Sequence, residues 1–493
     1  MANKFSSNFS NGQNNKTSPL ILKDSECELI LNYTLDTVGA LTKRNGYDVF
    51  ATQPVSGKRV LGLAQYTNIA TSAETTQVMV VNNSGDTQAV IYYNNAGTWA
   101  TSKTNDTAVT TVTNFNRSRF KTFLNYLFRV NGVDVVATSI DVNGSVWGTT
   151  NAPSTITPSF IEVFQDRVYV ARTGAGDGSR VYFSSLPTQV ASPAITWDTT
   201  NDFFDLNPDD GDEITALENN GNRLLIFKNR SMYRWTFGQT EPDRLIGVGT
   251  QSQECVKTNF DLGITFFANE SGVYAYTGGR PKLISRKIQK WIDAIPAADF
   301  DDMVAETDAD HYYLYLSDSL TVDGRTYTNV MAVYTISLDA WVIYTLHTPW
   351  RVASKLILSG AEDIYFGSSN GRTYQWNIGV GDDSGGASAN TAVAIAGEII
   401  FKEHLLSFPE RTQLAYIDVI ASQRVGAKVF ISEDRNPDFI PLGELRDRVT
   451  SFRTGARTVQ TLRLKISENS LATSIIEGYN IEYTPLNKRP LAQ

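Results

Sequence analysis

Apolar and polar residues alternate along most of this chain, so that positions i and i+2 share a face, which is the period of half-buried β-strands. The alternation is organised in pairs. An apolar strand leads into a short turn of Asn, Gly, Asp or Ser, and a second strand follows that closes on an aromatic residue. The unit occupies residues 76–99 (TQVMVVNNSGDTQAVIYYNNAGTW) and 120–147 (FKTFLNYLFRVNGVDVVATSIDVNGSVW). Further copies lie at 165–185, 222–235, 261–279, 311–346 and 362–379. Helical spacing is confined to residues 285–295 (SRKIQKWIDAI), stopped by Pro296.

The turns of these units fall near Asn82, Asn131, Gly176, Asn229, Glu270, Gly324 and Asn370, a pitch of about 41 to 54 residues that matches four-stranded propeller blades. The pattern therefore predicts an all-β protein, a β-propeller of six or seven blades, because blades stacked around an axis bury faces that a lone sheet leaves wet. A pair of β-sandwiches is the other architecture that period-two patterning allows. Residues 379–391 (GVGDDSGGASANT) carry no apolar period and read as a boundary. Strands at 397–401, 414–422, 427–432, 461–466 and 475–483 then fit a small C-terminal β-sandwich. The expected organisation is a flexible, Asn- and Ser-rich arm over 1–18, a docking segment over 19–59, the propeller over 60–379, a linker over 380–391 and the sandwich over 392–493.

Composition narrows the function. The net charge of −9, from 43 basic and 52 acidic residues without a basic block, disfavours a surface that grips nucleic acid. No stretch approaches the roughly 18 apolar residues of a membrane helix, and the N-terminus lacks a signal-peptide core, so synthesis and residence in a cytoplasm are expected. Cys27 and Cys255 form no CxxC pair and read as reduced thiols.

Candidate chemistry is sparse. His311, His347 and His404 show no metal-ligand spacing, there is no GxSxG elbow, and residues 174–178 (GAGDG) do not continue into a phosphate-binding loop. Two acidic groups, residues 205–213 (DLNPDDGDE) and 299–310 (DFDDMVAETDAD), read as a solvated turn and an exposed loop, and neither makes a calcium loop or a glycosidase pair. Residues 139–147 (SIDVNGSVW) resemble the Asp-box turn of sialidase-like propellers with one extra residue before Gly144, a structural turn rather than a catalytic one. The basic residues Arg117, Arg119 and Lys121, and residues 280–290 (RPKLISRKIQK), read as solvated charge or protein contacts. No catalytic residue, cofactor or metal is expected.

The stretch 32–47 (NYTLDTVGALTKRNGY) resembles the N-terminal signature of the tail-hub, nozzle and packaged-DNA stabilisation proteins of short-tailed bacteriophages, in which an Asn-rich entry leads to GxLxKRxGY. The matching positions are Gly39, Leu41, Lys43, Arg44, Gly46 and Tyr47. The segments FQDRVYVA, RVYFSS, LLIFKNRSMYRW and ITFFANESGVYAYTGG are similar to the inner blades of these virion propellers, and SIIEGYNIEYTP to their terminal sandwich. The resemblance implies a structural virion protein made in the host bacterial cytoplasm. It implies a homo-oligomeric ring, commonly a hexamer, below the portal or its adaptor, contacting other tail proteins. Such a ring retains packaged DNA and passes it during ejection without specific binding, with no membrane contact and the six signature residues at an interface. The alternative function for the same fold is a propeller adhesin or a glycan-binding or glycan-hydrolysing surface protein.

Overall fold

Each alternating unit forms the middle of a four-stranded antiparallel sheet, and seven such sheets surround one axis. The first comprises strands Val60–Asn68, Glu74–Asn82, Gln88–Asn95 and Thr98–Thr107. The next four begin with the inner strands Arg119–Phe123, Phe160–Phe164, Ile214–Asn219 and Lys257–Asn259, and the sixth with Val304–Thr307. The seventh starts at Val352–Leu358, which lies against Val60–Asn68 of the first and closes the circle. The structure, a computed structural model, describes residues 2–486 except 69–73, 144–145, 154, 175, 189–193, 240, 359, 384–390, 424–425 and 456.

All seven turns marked in the sequence join the second and third strands of a blade, which is why their spacing counts blades. The sixth illustrates the local cause: Asp323 and Gly324 have φ of +48° and +78°, the left-handed pair that lets a two-residue hairpin follow the twist of its strands. Aromatic rings fill the wedges between blades. Phe204 stacks on Trp235 at 4.7 Å, Phe227 meets Phe267 at 5.0 Å, and Phe266 stacks on Tyr312 at 4.9 Å.

The seventh blade takes its outer strand from the other end of the chain. Tyr47–Val49 pairs antiparallel with Thr373–Trp376, with Tyr47 opposite Trp376 and Val49 opposite Tyr374. The propeller is thus built from residues 47–49 as well as 60–376. Its expected limits at 60 and 379 missed this strand, because three residues are too few to show a period.

The C-terminal β-sandwich is present, and it is joined to the propeller by hydrogen bonds and a common core. One of its sheets holds Ala392–Leu405, Thr461–Ser470, Lys428–Glu433 and Ile440–Glu444, and it continues through Cys27–Leu31 into the outer strand of the sixth blade, Ala340–Thr345. The other holds Ile475–Pro485, Thr412–Gln423 and Val449–Arg453 together with Leu41–Lys43. A single apolar cluster runs from Phe366 and Trp376 of the seventh blade to Ile417, Ile466 and Ile481 between the sandwich sheets. Part of the expected linker is a strand: Gly381–Asp383 is buried and pairs with Ala392–Leu405. Residues 384–390 lie outside the described residues.

The first eighteen residues are not a free arm. Ala2–Ser6 pairs with Ile475–Pro485 along the sandwich edge, and Phe9 is fully buried between Phe401 and Tyr479, 5.2 and 6.3 Å away. The polar residues that signalled solvation instead bridge segments: Gln13 accepts from the Ile30 N–H at 3.0 Å, and Asn14 donates to Glu26 at 3.2 Å. Low hydrophobicity was read as disorder because the partners lie on a different strand. Removing residues 1–18 is therefore expected to destabilise the whole protein, and Phe9→Ala to cost about 3–5 kcal/mol. Urea unfolding of the full-length variants checks both, and a midpoint equal to that of the parent would restore the free-arm reading.

Candidate functional site

The six signature residues sit where propeller, sandwich and N-terminal segment meet. Leu41 is buried in the sandwich core, and Gly39 turns the chain with φ of +84°. Lys43 is buried and donates through Nζ to the Ser470 carbonyl at 2.5 Å, beside the Glu468 carboxylate at 3.1 Å. Arg44 grips Asp382 with two parallel bonds of 2.8 and 2.7 Å. Its remaining donors reach Asn32 Oδ1 at 3.0 Å, the Asn45 carbonyl at 2.9 Å and the Thr345 carbonyl at 2.8 Å. Burial works against the guanidinium charge, but the Asp382 carboxylate turns the balance and holds Arg44 above its usual value.

Gly46 is required by contact: a Cβ there would lie 1.8 Å from the Gly381 carbonyl oxygen. Tyr47 accepts the Thr348 N–H at 2.7 Å and packs edge-on against Phe366 at 5.1 Å and Tyr374 at 5.4 Å. These positions were expected at an interface with other proteins. Five of them are instead buried within the chain and Gly39 is half-buried, together a clasp between the entry segment, the seventh blade and the sandwich.

The axis of the propeller holds a second cluster. A cavity of about 170 Å³ is lined by inner-strand and pre-strand residues that include Arg119, Lys121, Glu218, Glu254 and Lys257. The charges are paired around the axis: Arg119 with Glu254 at 3.0 Å, Lys121 with Glu162 at 2.8 Å, and Lys257 with Glu306 at 3.3 Å. Burial pushes Arg119 down to about 10, whereas the carboxylates of Glu306, Glu254 and Glu218 overcome burial and push Lys257 up to about 12. Glu218 is the carboxylate left over. It accepts the Thr258 N–H at 2.9 Å, and burial, then the Glu162 charge, push it up to about 7.

At the mouth of the axis three arginines converge on one carboxylate. Arg59, Arg117 and Arg351 precede the inner strands of the first, second and seventh blades, and all three bind Asp302, which precedes that of the sixth. The two separate arginines of the sequence reading, Arg117 and Arg119, thus serve different clusters, and Lys121 a third contact. Arg351 also reaches Asp318 at 2.5 Å. An arginine group invisible in the sequence is assembled here by blade geometry, and Asp302 and Asp318 of the same chain already hold it.

The remaining candidates are also engaged internally. In the 205–213 turn, Asp205 pairs with Arg180 at 2.7 Å, Asp210 with Lys228 at 2.8 Å, and Asp212 accepts the Arg230 N–H at 3.0 Å, so the group is not simply solvated. Residues 299–310 are not an exposed loop, for Val304–Thr307 is the buried inner strand of the sixth blade. His311 lies between Asp308 at 3.1 Å and Asp36 at 3.0 Å; burial opposes its charge, but these partners push it up to about 10. Burial pushes His404 down to about 4, beside the Tyr479 hydroxyl at 2.6 Å. His347 donates its backbone N–H to Asp382 at 3.2 Å. Both cysteines are free and buried. From residues 280–290, Lys287 contacts Asn11 and Glu26 and Lys290 contacts Asp323, all in the same chain. Among the described residues no group of His, Cys, Asp and Glu is arranged to hold a metal ion. In the Asp-box-like turn Trp147 donates to Ser102 at 2.8 Å, while Gly144 lies outside the described residues.

The geometry thus defines a seven-bladed β-propeller protein with a fused C-terminal β-sandwich. No protein-family profile and no curated protein matches the chain. Among solved structures, it is similar to the extracellular domain of a putative one-component system from Bacteroides thetaiotaomicron, with 10% identity over 83% of this chain and 48% of that one, and a TM-score of 0.42. This chain spans about half the length of that domain. It is also similar to the WD40 domain of Neurospora crassa Pan2, with 7% identity over 68% of this chain and 94% of that domain, and a TM-score of 0.40. A quinoprotein alcohol dehydrogenase-like protein of B. thetaiotaomicron matches with 12% identity over 59% of this chain and 67% of its own, and a TM-score of 0.32.

Two outcomes follow from these clusters. Arg44→Ala and Asp382→Ala each strand a buried charge and are expected to cost about 3–5 kcal/mol, whereas the double change to Met and Leu should cost less than either. Equilibrium unfolding in urea measures all three, and strict additivity of the losses would refute the clasp. For Glu218 the sign is set by a folded value above the unfolded one: folding favours the protonated acid, so stability is lost as pH rises from about 4.5 to about 7. Glu218→Gln should therefore raise the thermal midpoint at pH 8 and leave it unchanged at pH 4, as read by calorimetry.

Proposed function

We propose that this chain is a non-catalytic structural protein of a bacteriophage tail, a subunit of the ring in the tail-hub or nozzle assembly between portal and distal tail. The observation that supports this reading is the placement of the signature residues. Arg44, Gly46 and Tyr47 fuse a propeller and a sandwich into one body with a continuous core, the property a load-bearing ring subunit needs. The pairing of Glu254, Glu162 and Glu306 with Arg and Lys is consistent with a supporting role for these three axial carboxylates. In such a ring the axial cavity inside one subunit plays no part in DNA passage: at about 170 Å³ it is far too small for a nucleic acid strand, so the path for DNA runs between copies. The net charge of −9 suits a wall that lets DNA slide, because each Lys or Arg bound to phosphate would add drag and salt dependence.

A second reading, attachment to a cell surface through a glycan, is favoured by one feature: a cavity of about 570 Å³ at the seam between propeller and sandwich. Electron microscopy of the purified protein at increasing concentration tests the first reading. The expected result is closed rings with a central opening. Monomers at all concentrations, or salt-sensitive submicromolar binding of duplex DNA in a mobility-shift assay, would overturn it.

A further inference from the structure

The hairpins that join second and third strands lie at one end of the blades, so the loops between first and second strands and between third and fourth lie at the other. At that other end the third, fourth and fifth blades expose four large apolar side chains. Leu186 follows the third strand of the third blade, Phe237 follows that of the fourth, and Phe260 and Leu262 belong to the first turn of the fifth; all four are between 46% and 66% exposed. The three blades are tied together here. The Phe237 N–H donates to Gln165 Oε1 of the third blade at 3.0 Å, and Arg234 of the fourth donates to the Gly278 carbonyl of the fifth at 2.9 Å.

The charges at this end are one-sided. Asp166, Asp198, Asp202, Glu241 and Asp261 lie in the same loops; Asp202 is half-buried, the other four are exposed, and among the described residues none of the five forms an ion pair. The arginines at this end do not serve them. Arg223 and Arg234 hold Asp243 at 2.9 and 3.3 Å, and Arg167 lies over the Phe237 ring at 4.1 Å. Arg280 is left over, and it begins a surface of the opposite sign.

That surface runs along the outer edge of the fifth blade. Arg280 precedes the outer strand Lys282–Leu283, and Arg286 follows it in the turn Ser285–Ile288. Lys16 of the N-terminal segment is beside them, because the Asn15 N–H donates to the Lys287 carbonyl at 3.0 Å. Lys16, Arg280, Lys282 and Arg286 are exposed and, among the described residues, without an ion pair. The acids nearby are taken: Glu26 faces Lys287 at 3.4 Å, Asp323 holds Lys290 at 2.9 Å, and Asp293 accepts from Gln289 at 2.8 Å.

Exposed aromatic and aliphatic side chains rimmed by charge are the composition of a protein–protein contact, and the sign of the rim selects the partner. A carboxylate rim that meets no cation in its own chain, and a cationic edge that meets no carboxylate, complement each other across two copies. Because the two faces differ, the contact is head-to-tail: each copy offers its edge to one neighbour and its rim to the other, the arrangement from which rings are built. We infer that the loop end of the third to fifth blades, with Phe237, Phe260, Asp202 and Glu241, docks on the basic outer edge of the fifth blade, with Lys282 and Arg286, of a second copy of this chain. The inference rests on the ring reading and names the two faces that meet in it.

Sedimentation velocity of the full-length protein over a range of concentrations reads assembly, with the thermal midpoint as the control for folding. Reversing the edge (Lys282→Glu with Arg286→Glu) or the rim (Asp202→Lys with Glu241→Lys) sets like charges against each other. Each variant alone is expected to need at least about a hundredfold more protein to assemble than the parent, with its midpoint unchanged. Mixed in equal amounts, the two are expected to assemble as the parent does, because every edge can then meet a rim of opposite sign. If a reversed variant fails to fold, Lys282→Gln with Arg286→Gln, or Asp202→Asn with Glu241→Gln, replaces it, and about tenfold weakening is expected. Assembly unaffected by either reversal, or a mixture that stays dissociated, would overturn this contact and leave the ring reading standing. A parent that is monomeric at every concentration would overturn both.

Discussion

The paired charges of Arg44 and Asp382, 338 residues apart in sequence, are the contact on which the architecture turns. Five guanidinium donors are a demanding set to bury, and here all five have acceptors, drawn from three parts of the chain: the entry segment, the sixth blade and the segment after the seventh. Such a group is satisfied only when all those parts are in place together. Its value lies less in net attraction, which desolvation largely cancels, than in penalising every arrangement that leaves it incomplete. Next to it, Gly46 permits the backbone of the entry segment to touch that of Gly381, a contact any side chain would prevent.

The axis follows a related logic. Seven inner strands bring charged residues into a narrow space, and Coulomb repulsion there would open the propeller if like charges faced each other. Apart from Glu162 and Glu218 of the third and fourth, neighbouring blades supply opposite signs, so that Lys121 of the second meets Glu162 of the third, and Lys257 of the fifth meets Glu306 of the sixth. These contacts cross blade boundaries, and so does the grip of Arg59, Arg117 and Arg351 on Asp302, which links four blades at one mouth. Burial of aromatic wedges holds neighbouring sheets face to face, while the ion pairs fix their angular order.

Much of this was legible in the sequence, and the parts that were not share a physical cause. Turn chemistry is local, so Asn82, Asn131, Gly324 and their counterparts marked seven hairpins correctly, and the strands after residue 392 announced a sandwich. The closing strand Tyr47–Val49 is too short to show a period, and its role depends on Thr373–Trp376 at the far end of the chain. Asn and Gln in the first fifteen residues looked solvated because their partners are distant. The same blindness hid the arginine group around Asp302, which exists only once the blades are assembled.

The pairing of Ala2–Ser6 and Tyr47–Val49 with strands hundreds of residues later has a consequence for how the protein comes into being. Ala2–Ser6 is zipped to Ile475–Pro485, and Tyr47–Val49 waits for Thr373–Trp376, so both segments are made well before the strands that hold them. Blades one to six can form in order as they emerge, each from contacts within a few tens of residues, while the opening segment trails unpaired. Synthesis of Thr373–Trp376 and Ile475–Pro485 then acts as the trigger for closure: a product truncated before them lacks the strands that capture Tyr47–Val49 and Ala2–Ser6, and displays that failure as an open blade edge and an unpaired opening segment. Quality control is in this way written into the topology, since Ala2–Ser6 and Tyr47–Val49 are covered only once the strands that pair with them have been made.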